Sequence, residues 1–239
     1  VEDYIKSLTP KNDLNFALVG QVDVDKCVEK LNNNLKLIKD FKKPQHSYEV
    51  PKLDKNIYNF IESKKEQSHI ILAYPGLKFD DPKVNTLQII QSILAGQGGR
   101  LFIELRDKKS LAYSVAPLRM EGIEPGYFGT YIGCSPEKGK TALSMMRDEL
   151  DKLQTTLVGA EELERAKRYL IGRHDIDLQK NSSVAATILF DDLYGLDHDA
   201  YLKYSDEIQE ITAEEVRDLA QLIFSQHEVV SCVGSESVE

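Results

Sequence analysis

The order in which hydrophobic periods follow one another along this chain restricts its fold more than any other feature. Strand-like runs come in pairs, at residues 57–63 with 69–74 and, with two-residue alternation, at Ala112–Met120 with 126–134. From about Glu137 the period becomes that of a helix, through stretches near 137–153, 160–194 and 200–224. A last apolar strand closes the chain at Val229–Gly234. Paired strands followed by runs of helices predict an α+β layered fold rather than regular βαβ alternation. A break is expected near 181–183 and a turn near 210–212, where Thr212 and Glu215 have the spacing of a capping box.

The remaining segments complete the outline. Residues 1–8 read as a short helix stopped by Thr9-Pro10, and residues 14–20 as an apolar strand. Asp23 is placed to cap a helix over 25–39, whose apolar positions Val28, Leu31, Leu35 and Ile38 keep the helical period. Residues 41–50 are charged, contain Pro44 and have no period, which marks a connector. Asp81-Pro82 opens a helix with Val84, Leu87, Ile90, Ile93 and Leu94 on its apolar face, and a shorter helix is expected over 101–108. Residues 1–20 and 213–234 both read helix, break, apolar strand, glycine. Such units are common, but if both end the same repeating unit, the chain begins with the tail of one copy and then holds a whole second copy.

Composition removes several function classes. With 239 residues, 41% hydrophobic and 29% charged, the chain can build a core and exceeds one small domain. A formal net charge of −9 argues against general nucleic-acid binding, which needs a basic face. Its longer apolar stretches, such as 14–22 and 182–190, fall well short of the roughly 18 residues of a membrane span. Cys27, Cys134 and Cys232 are far apart, odd in number and without a C-x-x-C, and read as buried thiols. His46, His69, His174, His198 and His227 include no pair four residues apart, so a H-E-x-x-H zinc motif and its reversed form are both absent. The opening Val1-Glu2-Asp3-Tyr4 has neither an initiating Met nor a targeting pattern, which suggests a processed or expressed piece.

Chemistry concentrates between Gly96 and Tyr113. The glycines of 95–100 follow a helix and lead to no Gly-Lys-Ser/Thr, so they read as a connection with close backbone approach rather than a phosphate cradle. Arg106 falls at the end of the short helix, and Tyr113 lies seven residues on, where a strand begins. A guanidinium fork and a phenol could together hold a peptide carbonyl, or the oxyanion that forms from it. Taken singly, each also has an ordinary use, since an arginine complements a helix C-terminus and a strand tyrosine packs.

The run from Gly98 to Ser114, Gly-Gly-Arg-Leu-Phe-Ile-Glu-Leu-Arg-Asp-Lys-Lys-Ser-Leu-Ala-Tyr-Ser, resembles the R-L-F-x-x-L-R-x-x-x-x-L-A-Y signature of the M16 (pitrilysin-like) zinc peptidases. Flanking pieces agree in order: Leu-Val-Gly-Gln-Val-Asp-Val-Asp at 18–25, Pro-Gly-Tyr-Phe at 125–128, Ser-Pro-Glu at 135–137 and Glu-Glu-Leu-Glu-Arg-Ala-Lys at 161–167. The resemblance spans most of the chain. It implies a layered α+β fold, an antiparallel-rich sheet with helices packed on one face, similar to one LuxS/mitochondrial-processing-peptidase-like metallohydrolase half. Enzymes of that family close two homologous halves around an unfolded peptide. The N-terminal half supplies a H-x-x-E-H zinc helix, and the C-terminal half an arginine and a tyrosine seven apart. By match to that pattern the pair here is Arg106 and Tyr113, expected to bind the substrate carbonyl or oxyanion and so to support catalysis. Residues 1–43 would be the tail of a preceding half, and 44–239 a complete C-terminal half.

The missing zinc motif makes the expected role a non-catalytic half, inactive as an isolated chain. No cofactor is expected in this chain, and zinc is expected in a partner half, within the same polypeptide or a separate subunit. The expected partners are that catalytic half and a peptide substrate, with no nucleic acid and no membrane span. Two alternatives remain open: a non-hydrolytic scaffold or assembly subunit of the same fold, and a module that pairs an extended peptide with a sheet edge. Bacterial cytoplasm and periplasm both suit the composition. Lys108-Lys109, Lys138, Lys140 and the Asp191-Asp192 pair read as solvated surface, and His174 is within local hydrogen-bond reach of Asp177.

Overall fold

Alternation along the strands decides which side chains the sheet buries. The computed structural model describes residues 14–36 and 52–239. Along β2 (Ser68–Pro75), Ser68, Ile70, Leu72 and Tyr74 are buried while His69 and Ile71 are exposed. With β1 (Ile57–Glu62), β3 (Ala112–Met120), β4 (Tyr127–Cys134) and β5 (Val229–Gly234), this strand forms a five-stranded sheet in the order β1-β5-β2-β4-β3. Only β1 and β5 run parallel; every other neighbour is antiparallel. The register lines up inward residues across the sheet, Leu72 facing Val230 on one side and Thr130 on the other, Ile70 facing Cys232 and Ile132. β5 buries Val230, Cys232 and Gly234 in the same alternation.

The helices, in chain order, are α1 (Val24–Leu35), α2 (Val84–Leu94), α3 (Gly139–Thr155), α4 (Ala160–Asp177), α5 (Asn181–Tyr194), α6 (Ala200–Glu210) and α7 (Ala213–Phe224). Three of them, α2, α3 and α7, cover the face onto which these residues point. α3 packs on β2 and β4, α7 on β2, and α2 on β3 and α7. α2 buries Leu87, Ile89, Ile90, Ile93 and Leu94, and α7 buries Val216, Leu219, Ala220, Ile223 and Phe224. The ring of Phe224 stands 5.4 Å from that of Tyr74 and 5.5 Å from that of Phe128, so aromatic edges join helix to sheet. The result is the α+β sheet with helices on one face that the sequence predicts.

The capping box forms as expected: Thr212 Oγ1 accepts the Glu215 N–H at 3.2 Å, and Glu215 Oε2 accepts the Thr212 N–H at 2.7 Å. Thr212→Ala is therefore expected to lower stability by about 1 kcal/mol, read as a fall in the urea midpoint at unchanged slope.

Several local expectations are corrected. The break between α4 and α5 falls at residues 178–180, slightly before the predicted site. Residues 14–20 pair with no strand among the described residues, and Phe16 and Leu18 are exposed. A strand owes its backbone hydrogen bonds to neighbours, so an apolar run alone does not make one. α1 is capped by Asp23, which accepts the Lys26 N–H at 3.1 Å; the Lys26 ammonium, and then this bond, hold the Asp23 carboxyl below its usual range, yet no residue of this helix is buried. The helix expected over 1–8, the end of the 25–39 helix and the 41–50 connector lie outside the described residues. Asp191 is buried rather than on the surface, and burial pushes its carboxyl up, while Asp192 is exposed. His174 Nε2 bonds the carbonyl of Tyr201 at 2.8 Å.

All three cysteines are free, Cys134 and Cys232 buried and Cys27 half-buried. Burial pushes the Cys134 thiol up to about 11. Cys27 is thus expected to react first with a thiol reagent at pH 8, with Cys134 protected until unfolding; mass mapping of the labelled peptides checks this.

Backbone contacts divide the chain into two units. One comprises Val50–Arg173 and Lys203–Glu239 and contains the whole sheet. The other comprises His174–Leu202 with the described part of Val1–Glu49.

Candidate functional site

Arg106 and Tyr113 are brought together by the short segment that joins α2 to β3. The segment begins in a glycine loop. Gly96 has φ +73°, and a Cβ on Gly99 would come within 2.1 Å of the Ala95 carbonyl oxygen, so the close turn requires glycine. Arg100 fixes the loop to α4 through a two-pronged pair with Glu162, Nε to Oε1 at 2.9 Å and Nη2 to Oε2 at 2.6 Å. Leu101 and Leu105 are fully buried and seat the helix that follows. Phe102–Asp107 winds more widely than an α-helix, the Lys108 N–H donating to the carbonyl of Ile103, five residues back, at 3.0 Å. Wide turns of this kind occur often at functional sites.

The turn between the two residues is fixed as firmly. Ser110 has φ +50°, a left-handed conformation unusual for a residue with a side chain. Its N–H donates to the Arg106 carbonyl at 3.0 Å, the Leu111 N–H donates to the Leu105 carbonyl at 2.9 Å, and Lys138 Nζ donates to the Ser110 carbonyl at 3.0 Å. Lys138, itself partly exposed, thus reaches this turn from the surface. Past the turn, Ala112 pairs with Cys134 and Ser114 with Gly133, leaving Tyr113 as the extra residue of a β-bulge. A bulge re-aims side chains and sharpens the local twist. Here the bulged tyrosine is 76% exposed.

The Arg106 guanidinium carbon lies 5.9 Å from the centre of the Tyr113 ring and 4.9 Å from that of Phe102. Arg100, Arg119, Arg147, Arg165 and Arg217 each stand within ion-pair distance of a carboxylate. Among the described residues Arg106 has no such partner. An exposed guanidinium fork and an exposed phenol side by side are suited to donating hydrogen bonds to a carbonyl or carboxylate oxygen. The sequence pointed to both residues, but not to Phe102, Ser110 or Lys138. The wide helical turn, the left-handed serine and the bulge have no residue-type signature in this run.

The described residues do not fit a catalytic zinc. Among them no group of three or more His, Cys, Asp or Glu side chains could hold a metal ion. His69 Nδ1 is 2.8 Å from Tyr131 Oη, and His227 Nδ1 is 3.1 Å from Asn56 Oδ1. No helix among the described residues is long and apolar enough to cross a membrane.

The family model described as the peptidase M16 inactive domain matches residues 1–170, including the whole Arg106–Tyr113 segment. The chain belongs to the peptidase M16 family. An uncharacterized zinc protease of Streptomyces coelicolor is 27% identical over 238 residues, which cover 97% of this chain and 52% of that protein. A non-peptidase homolog from Helicobacter pylori is 24% identical over 218 residues, 87% of this chain and 48% of its own length. Among solved structures, the peptidase M16 inactive domain from Pseudomonas fluorescens superposes with a TM-score of 0.81 at 22% identity, over 92% of this chain and 53% of the other. A Helicobacter pylori protease gives 0.83 at 19% identity, over 90% and 54%. This M16 chain thus spans about half the length of the relatives it matches, and its fold is that of the M16 inactive domain.

Proposed function

We propose that this chain is the non-catalytic half of an M16-type zinc peptidase, which binds an unfolded peptide and completes the active site of a zinc-bearing partner half. The observation that carries this reading is the pairing of Arg106 with Tyr113, exposed together and free of any described carboxylate. In this role the guanidinium and the phenol donate to the substrate carbonyl and to the oxyanion formed as the peptide bond is attacked. The zinc and the chemistry it supplies belong to the partner half, because the described residues here offer no ligand set for it. Residues 1–43 form the tail of a preceding homologous half and 44–239 the C-terminal half. The relatives are about twice as long as this chain, as expected if it is one half of a longer protein.

Peptide cleavage by this chain, by the zinc-bearing half and by their mixture tests the proposal. Cleavage is expected only in the mixture. Zinc-dependent cleavage by this chain alone would overturn it. A second reading, a scaffold of the same fold without hydrolysis, draws support from the Helicobacter pylori relative described as a non-peptidase homolog. A mixture that associates without cleaving any unfolded peptide favours that reading.

A further inference from the structure

We propose that Phe102 is a positioning residue for Arg106, stacking beneath its guanidinium so that the N–H edge stays turned to a planar oxygen acceptor of the substrate, a backbone carbonyl or a carboxylate. This rests on the reading of Arg106 as a substrate-binding group. Phe102 precedes Arg106 by four residues on the same wide helical turn, and the guanidinium carbon lies 4.9 Å from its ring centre, within the range of a cation–π contact. The Tyr113 ring, at 5.9 Å, lies at the limit of that range.

The kind of partner matters as much as the distance. A carboxylate takes up the N–H donors of an arginine, as Glu162 does at Arg100 with two parallel bonds. An aromatic ring instead takes the face of the guanidinium and leaves its donors available. The stack also limits the rotamers of a long, exposed side chain before any ligand arrives, which reduces the order lost on binding. Phe102 is half-buried and follows the fully buried Leu101 in the chain.

Two measurements test this. The chain contains no tryptophan, so Phe102→Trp places its only indole beneath the guanidinium. Indole emission is expected to change when Arg106→Ala is added to that variant, and identical emission overturns the stack. In the assembled peptidase, Phe102→Leu is expected to lower kcat/KM about three-fold, the size of an exposed cation–π contact, with Phe102→Tyr restoring most of the loss. In the Arg106→Ala background the same Phe102→Leu change is expected to cost nothing further. An equal loss in both backgrounds overturns positioning through Arg106 alone. Normal cleavage by Arg106→Ala overturns the functional reading and this proposal together.

Discussion

Arg106→Ala is expected to lower kcat/KM of the assembled peptidase by roughly 10²–10³, the cost of removing one oxyanion donor. The same substitution is expected to leave the folding stability of the chain within about 0.5 kcal/mol, as for surface changes that break no ion pair or buried contact. That separation of effects follows from the geometry. The side chain is exposed and pairs with no described carboxylate, and its guanidinium carbon lies 4.9 Å from the Phe102 ring centre and 5.9 Å from that of Tyr113. Arg106→Lys should recover little, because an ammonium lacks the planar fork that meets an oxygen with two donors. Tyr113→Phe removes only the phenolic hydroxyl and is expected to act in the same direction as Arg106→Ala. Steady-state kinetics on the assembled enzyme, beside urea unfolding of each variant, check both halves of the expectation. Wild-type kcat/KM in Arg106→Ala would remove the pair from the reaction.

The largest loss of stability is expected at Phe128. Phe128→Ala is expected to cost about 3–5 kcal/mol, a large share of the roughly 5–15 kcal/mol that holds a typical domain folded. Phe128 is completely buried in β4, directly opposite Tyr74 of β2 and Arg119 of β3, and its ring meets Phe224 of α7. Truncation therefore removes the point where strand, neighbouring strand and covering helix meet, and close packing leaves little freedom for the cavity to collapse. Urea titration should show a markedly lower midpoint. A midpoint within experimental error of the wild type would mean that the helix layer does not rest on this ring.

How far the sequence reaches can be judged from particular elements. β3 and β5 have the bounds that alternation predicts, and the Thr212–Glu215 box forms as the spacing requires, because each depends on residues close together in the chain. Arg106 and Tyr113 were legible for a different reason: the run from Gly98 to Ser114 carries a recognisable order of residue types. Residues 14–20 are apolar as a buried strand is, yet have no strand partner among the described residues, since pairing is a property of neighbours and not of the segment. Lys138 reads as a surface charge and stays partly exposed, but only the fold places it 3.0 Å from the Ser110 carbonyl, twenty-eight residues away.

Local sequence thus carries the α+β class, the alternating strands, the capped helices, the missing zinc motif and the two residue types of the proposed site. These follow from local periodicity, capping chemistry and a contiguous run. Tertiary structure alone decided the strand order that inserts β5 between β1 and β2, the bulge that turns out Tyr113, and the Phe102 ring under Arg106. Each of these depends on distances between groups that the chain brings together only when non-local burial and pairing outweigh the entropy of ordering it.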